Sequence, residues 1–302
     1  MTAPSGTRCG FVAVMGAPNA GKSTLVNHMV GAKVSIVTHK AQTTRTAIRG
    51  VALEGASQIV FVDTPGVFAP RRRLDRAMVG AAWAGAEGAD VILLLVDAAG
   101  KTGGDGTTRI LDGLREANRT AVLVLNKIDA TPRPRLLALA ADLNETGLFS
   151  DTFMISAANG DGVADLKAHL AGAVPEGDWL YPEDQVADLP QRLLAAELTR
   201  EKLFLRLHDE LPYAATVETE NWTRTKKGEL RVEQTIYVER DSQKGIVLGK
   251  GGRTIKEIGA AARADLEEQL GERAHLFLFV KVRKDWGDDP ARYREMGLDI
   301  VD

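Results

Sequence analysis

Five short apolar runs, each followed by a helical pattern, occupy the first half of the chain. Residues 11–15, 59–63, 91–97, 121–126 and 152–156 are near-continuous in β-branched residues and Leu, the composition of parallel strands buried on both faces. Between and after them the spacing predicts helices over 22–30, 74–87, 105–117, 133–145 and 163–171. Strand then helix, repeated, predicts a doubly wound, mostly parallel α/β sheet whose ligands bind beyond the carboxyl ends of the strands. Gly16, Asp63, Asn126 and Ser156 all stand at or just past such ends.

The chain is 302 residues long, enough for two ordinary domains. A break in the pattern divides it: from about Gly172 to Pro190 the sequence turns to Gly, Pro, Asp, Glu and Trp without a steady period. We therefore expect a first domain over 1–175, a linker over 176–190, with Trp179 and Tyr181 packed on one domain, and a second domain over 191–302. In that second domain a long helix (191–211), two strands (213–223 and 230–240), a Gly-rich turn between helices and a last strand (276–282) follow in order. Cys9 stands alone, so no internal disulfide forms and a reducing, cytoplasmic setting is expected. No apolar run approaches the ~18 residues of a membrane span, and residues 1–10 do not read as a secretory signal.

Phosphate chemistry selects residues where that fold puts them. Gly16-Ala17-Pro18-Asn19-Ala20-Gly21-Lys22-Ser23 follows the first apolar run and opens the first helix, the context that makes G-x4-G-K-[ST] a triphosphate cradle. Small residues let backbone N–H groups approach the phosphates, and Lys22 neutralises the β and γ oxygens. Ser23 offers a hydroxyl to Mg²⁺, and Thr24 follows it into a helix whose N-terminus adds its positive end. Asp63-Thr64-Pro65-Gly66 supplies a second carboxylate for Mg²⁺ at Asp63 and an N–H for the γ-phosphate at Gly66. Asn126-Lys127-Ile128-Asp129 selects the base. Asp129 can accept from both N1–H and the exocyclic amine of guanine, a paired donor edge that adenine lacks. Lys127 can lie along the base, and Ser156-Ala157-Ala158 fits a backbone contact to the guanine carbonyl. The expected ligand is GTP or GDP with Mg²⁺.

Together these motifs resemble the translation-factor-related branch of the GTPases, in which a Thr of the first switch completes Mg²⁺ coordination when the γ-phosphate is present. Ala41-Gln42-Thr43-Thr44-Arg45 matches that segment. The resemblance implies Thr44 as the ligand, with Thr43 the alternative. It also implies Ser23, Thr44 and Asp63 as the metal set and Lys22, Thr44 and Gly66 as the catalytic set. Where Ras-like members carry a water-orienting Gln, this chain has Val67. An aliphatic side chain cannot orient water by a hydrogen bond, so slow intrinsic hydrolysis is expected. Asn19 matches the position that helps hold K⁺ near the phosphates in related GTPases; a simple loop hydrogen-bonder is the alternative.

Bulk charge, a net −3, says little about partners. Locally, nine Lys/Arg face four Asp/Glu between Arg224 and Lys256, around Gly249-Lys250-Gly251-Gly252. That G-x-x-G, with Ile246, Val247 and Ile255 as core and groove positions and Lys250 and Arg253 beside it, resembles a KH RNA-binding domain of type II. Such a loop lies along a single-stranded backbone of about four nucleotides. A GTPase domain followed by a KH domain resembles the Era-like family of ribosome-associated GTPases, within the TrmE-Era-EngA-YihA-Septin-like superfamily. Lys40–Arg45, Asp63–Gly66, Glu201-Lys202, Leu211-Pro212-Tyr213 and Lys281–Trp286 carry that resemblance over nearly the whole chain. It implies a P-loop GTPase domain with a doubly wound, mostly parallel sheet, followed by an α+β type II KH domain. It further implies that a monomer binds the 3′ end of 16S ribosomal RNA, through Ile246, Gly249–Arg253 and Ile255, and assists assembly of the 30S subunit. Some members are found peripherally on the inner membrane, although no amphipathic anchor stands out here. Trp286 could stack on a base or pin the last strand; packing is the favoured expectation.

Overall fold

A computed structural model describes residues 6–40, 42–100, 104–284, 286–289, 293 and 298. Ala41 and Asp285, which carry part of the family resemblance, lie outside them. The chain divides into two compact units. Among the described residues, the first holds those up to Ser35, Thr44–Asp188 and Leu298; the second holds Ile36–Thr43 and those from Leu189 to Tyr293.

In the first unit the five expected strands are β1 (Arg8–Gly16), β3 (Ser57–Asp63), β4 (Val91–Asp97), β5 (Ala121–Asn126) and β6 (Phe149–Ile155). The helices are α1 (Lys22–Val30), α2 (Arg73–Glu87), α3 (Asp105–Glu116), α4 (Arg133–Asn144) and α5 (Val163–Ala173). Two further strands join them, β2 (Ile48–Glu54) and β7 (Ala187–Asp188), giving the order β6-β5-β4-β1-β3-β2-β7. β2 runs antiparallel to β3, and β7 antiparallel to β2, at the margin of the otherwise parallel sheet.

Alternation along the strands feeds two cores, one on each face. Val12, Val14, Ile59, Phe61, Leu93 and Leu95 pack with Leu25, Val26 and Met29 of α1 and Leu166 and Leu170 of α5. Ala13, Met15, Ile92, Leu94 and Val96 pack with Ile110 and Leu114 of α3 and Leu136, Leu139 and Leu143 of α4. Burial on both sides explains the unbroken apolar runs. The expected linker is partly structured: Trp179 donates to the Ala56 carbonyl at 3.1 Å, and the Tyr181 N–H bonds Gln58 at 3.0 Å.

The second unit has α6 (Gln191–Arg206), β8 (Ala215–Arg224), β9 (Leu230–Val238), α7 (Asp241–Leu248), α8 (Arg253–Leu270) and β10 (Ala274–Val282). Its sheet runs β10-β9-β8, with β9 parallel to β10 and antiparallel to β8. Helix, strand, strand, helix, helix, strand is the type II KH order. The first helix stops at Arg206, short of the expected 211; Leu207 turns to an extended conformation, and it and Leu211 join the core from beyond the helix. Gln234 of β9 is fully buried and held by the Thr199 hydroxyl at 2.6 Å. Trp286 is buried, with its ring N–H on the Ala214 carbonyl at 2.9 Å. It packs and does not offer a stacking face.

Candidate functional site

The carboxyl ends of β1, β3, β5 and β6 gather the predicted nucleotide residues. The Lys22 ammonium, nearly sealed from solvent, donates to the carbonyls of Gly16 at 3.2 Å and Ala17 at 3.1 Å. Burial pushes its pKa down to about 8, against the raising effect of nearby Asp63. This ammonium is thus held by the rim of its own loop, where arriving phosphate oxygens replace weak partners with charged ones.

Three oxygens converge beside it. Ser23 Oγ donates to Asp63 Oδ2 at 2.7 Å and lies 2.9 Å from Thr44 Oγ1, which donates to the same carboxylate oxygen at 3.5 Å. Asp63 is fully buried, and its other oxygen, Oδ1, has no hydrogen-bond partner among the described residues. Burial raises its pKa, against the hydrogen bond from Ser23 and the charge of Lys22. A buried, under-satisfied carboxylate with two hydroxyls fits a hard divalent cation such as Mg²⁺. Thr43 faces elsewhere. Its hydroxyl donates to the Lys40 carbonyl at 2.7 Å and lies 2.6 Å from Thr38 Oγ1.

Not every residue of the motifs points at the ligand. Thr64 is fully buried and donates to the Val14 carbonyl at 2.8 Å, bracing β3 against β1. Gly66 sits so close to the phosphate loop that a Cβ there would lie 2.9 Å from the Pro18 nitrogen. Val67 is buried in the core with Ile110 and Met15, and its N–H bonds the Gly16 carbonyl at 3.1 Å. Asn126 is also a brace: its amide donates to the Ala20 carbonyl at 2.8 Å and accepts the Ala157 N–H at 2.9 Å. One side chain therefore ties the phosphate loop to the loop after β6. Asp129 is exposed at the same end. Sequence reasoning passed over Asp97, which holds the Lys127 ammonium at 2.6 Å and accepts the N–H groups of Ala99 and Gly100. Its position at the carboxyl end of β4 was the available signal.

In the second unit, α7 ends at Leu248 and α8 starts at Arg253, with the G-x-x-G turn between them. No acidic residue lies in the first turn of α8, so no carboxylate of that turn offsets its positive end. Lys250 and Arg253 are exposed beside it. The two neighbouring aliphatics part company: Ile246 is 57% exposed, while Val247 is fully buried. Ile246 is thus a surface position and not a core one, and Val247 belongs to the core beneath the groove. Ile255 is half-buried against that core.

Comparison with known proteins covers both units. The family described as 50S ribosome-binding GTPase matches residues 11–127, and the KH domain family matches 210–287. GTPase Era of Rhizobium meliloti (strain 1021) is 63% identical over 294 residues, covering 97% of this chain and 94% of that protein. GTPase Era of Brucella suis biovar 1 is 60% identical over the same shares. Among solved structures, an Aquifex aeolicus Era variant bound to GDP and AlF4⁻ superposes with a TM-score of 0.91 at 36% identity, over 96% of this chain and 99% of that one. Era in complex with MgGDPNP and nucleotides 1506–1542 of 16S ribosomal RNA gives 0.92 at 36% identity over the same shares. Identity of this degree over nearly the full length, with both domains in order, shows that the chain belongs to the Era family of GTPases and is a GTP hydrolase.

Proposed function

We propose that this GTPase is a ribosome-assembly switch that binds the 3′ end of 16S ribosomal RNA through its KH domain and assists 30S subunit assembly. The observation that carries the reading is the outward-facing G-x-x-G turn at the N-terminus of α8, with no carboxylate in that helix's first turn, in a chain whose relative was solved with that RNA. Its proposed contacts are Ile246, Gly249, Lys250, Gly251, Gly252, Arg253 and Ile255. The nucleotide residues divide by role. Ser23, Thr44 and Asp63 hold Mg²⁺, which when bound offsets the negative charge of the phosphates. Gly16–Thr24 and Gly66 hold the phosphates, and Lys127, Asp129 and Ala158 hold guanine. Ala158 is preferred over Ala157 because Asn126 already takes the Ala157 N–H. GTP orders the segments around Thr44 and Gly66, and hydrolysis releases them. No described helix is long and apolar enough to cross a membrane, and the proposed workplace is the cytoplasm.

Crosslinking and sequencing of bound RNA, with GDP and with a non-hydrolysable GTP analogue, tests this reading. We expect reads concentrated at the small-subunit 3′ end and a nucleotide-dependent yield. Reads mapping to large-subunit RNA, the association that the first family's description carries, would overturn the RNA assignment and leave the GTPase intact.

With Val67 committed to the core, no side chain at that position orients the attacking water, and intrinsic turnover is expected to be slow. Asn19 is exposed at the lip of the phosphate loop with a positive φ of 64°, available to share an ion with the phosphates. The expected result is faster single-turnover hydrolysis in KCl than in NaCl at equal ionic strength. Equal rates would remove the K⁺ role of Asn19.

A further inference from the structure

Within the second unit, Ile36–Thr43 is gripped by α6 at three places along its length. Near its start, the Val37 N–H donates to Glu201 Oε1 at 3.0 Å. Midway, the Lys40 ammonium donates to the carbonyls of Phe204 and Leu207, at the negative end of α6. At its last residue the Thr43 carbonyl accepts from Arg200 Nη2. The next residue in the chain, Thr44, belongs to the first unit and stands 2.9 Å from Ser23 in the three-oxygen cluster.

The gripping side chains are costly ones. Arg200 is 2% and Glu201 4% exposed, and buried charges are favourable only when well paired; apolar residues of equal volume serve a packing role at least as well. Here both are steered by acidic or basic neighbours. Glu197 holds Arg200 Nε at 2.7 Å, and Lys202 lies 3.1 Å from Glu201 Oε2. Lys202 in turn lies 2.5 Å from Asp265 of α8, the helix that the G-x-x-G turn opens. The charges are thus arranged to fix a stretch of backbone.

We propose that Arg200 and Glu201 are positioning residues for GTP hydrolysis, holding Ile36–Thr43 so that Thr44 is set at the Mg²⁺ site. A peptide unit is planar, so Arg200, by fixing the Thr43 carbonyl, also fixes the direction of the Thr44 N–H and restricts where its Cα can lie. The inference rests on Thr44 being the Mg²⁺ ligand of the proposed function. It deepens that reading by naming the side chains that hold the segment leading into the ligand.

The test uses the full chain without RNA and compares Arg200→Leu, Arg200→Lys and Lys40→Met with the parent. Thermal unfolding is recorded for each, together with kcat, KM for GTP, the Mg²⁺ concentration at half-maximal turnover, and GDP affinity. For Arg200→Leu we expect kcat to fall and the Mg²⁺ requirement to rise, each by about 10- to 100-fold, the usual effect of removing a group that orients a metal ligand. GDP affinity should stay within about twofold, since the switch Thr engages the metal only with the γ-phosphate, and Arg200→Lys should recover part of the loss. Lys40→Met, which alters the gripped segment and leaves α6 intact, should show the same signature and decides the matter if Arg200→Leu does not fold. Unchanged kcat and Mg²⁺ requirement, or a parallel loss of GDP affinity, would overturn the proposal. Thr44→Ala separates the two layers: if it leaves the Mg²⁺ requirement unchanged, the ligand assignment itself fails.

Discussion

Asp129→Asn should lose guanine nucleotides and gain xanthine nucleotides. In the proposed base site, the Asp129 carboxylate accepts two hydrogen bonds from the guanine edge, N1–H and the exocyclic amine. An amide at the same place offers one acceptor and one donor, so it meets the amine with a like donor. Xanthine carries a carbonyl where guanine carries the amine, and the amide donor then finds an acceptor. Truncating one partner of a charged bidentate pair that becomes buried on binding is expected to weaken GTP and GDP by about 10³-fold. Titration with labelled GDP and XDP measures both arms. A variant that still prefers GDP over XDP would remove Asp129 from the base site. Asp129 is exposed and Asn126, not Asp129, braces the loops, so the substitution should leave the melting temperature nearly unchanged. Asn126→Ala is the contrasting case, because it severs the tie between the phosphate loop and the loop after β6.

How far the chain could be read in advance depended on where each residue's partners lie in the sequence. The central strands were legible because burial on both faces leaves a nearly unbroken apolar run, as in Val91-Ile92-Leu93-Leu94-Leu95-Val96. β2 was not, since at the sheet margin it carries an exposed Arg49 beside Gly50, and neither alternation nor an apolar run survives. The end of α6 was misjudged for a related reason: Leu207 and Leu211 continue the apolar spacing although the backbone between them is no longer helical. Among site residues, short motifs located the phosphate loop, Asp63 and the base loop, because their chemistry needs contiguous residues. They could not separate ligand contacts from braces. Thr64 and Asn126 stand inside the motifs, yet their side chains bond to Val14, Ala20 and Ala157, partners distant in sequence. Least legible was the allegiance of Ile36–Thr43. Nothing local marks it as part of the second unit, since its partners Arg200 and Glu201 lie some 160 residues away.

The G-x-x-G turn yields the second large effect, and its glycines are not equivalent. Gly251 has φ 62° and ψ 23°, the left-handed region that Asp and Asn tolerate best after Gly, and a Cβ there meets nothing within 4 Å. Gly249 has φ 71° and ψ 171°, a region essentially closed to other residues, and its Cβ would lie 2.2 Å from Thr254 Oγ1 and 2.9 Å from the Thr254 nitrogen. Gly251→Asp therefore tests RNA binding with the fold kept, whereas Gly249→Ala tests the fold. The new carboxylate would stand between Lys250 and Arg253 at the positive end of α8, where a phosphate is proposed to pass. Repulsion there should weaken binding of an RNA carrying the 16S 3′ end by about 10-fold or more at ~0.1 M salt. The slope of log affinity against log salt should become shallower by about one phosphate contact. GTP hydrolysis without RNA should not change, because the turn shares no residue with the nucleotide site. Gly249→Ala, by contrast, should lower the melting temperature and reduce RNA binding only in step with folding. Full RNA affinity in a folded Gly251→Asp protein would move the RNA path off this turn and leave the exposed, positively flanked start of α8 without a ligand.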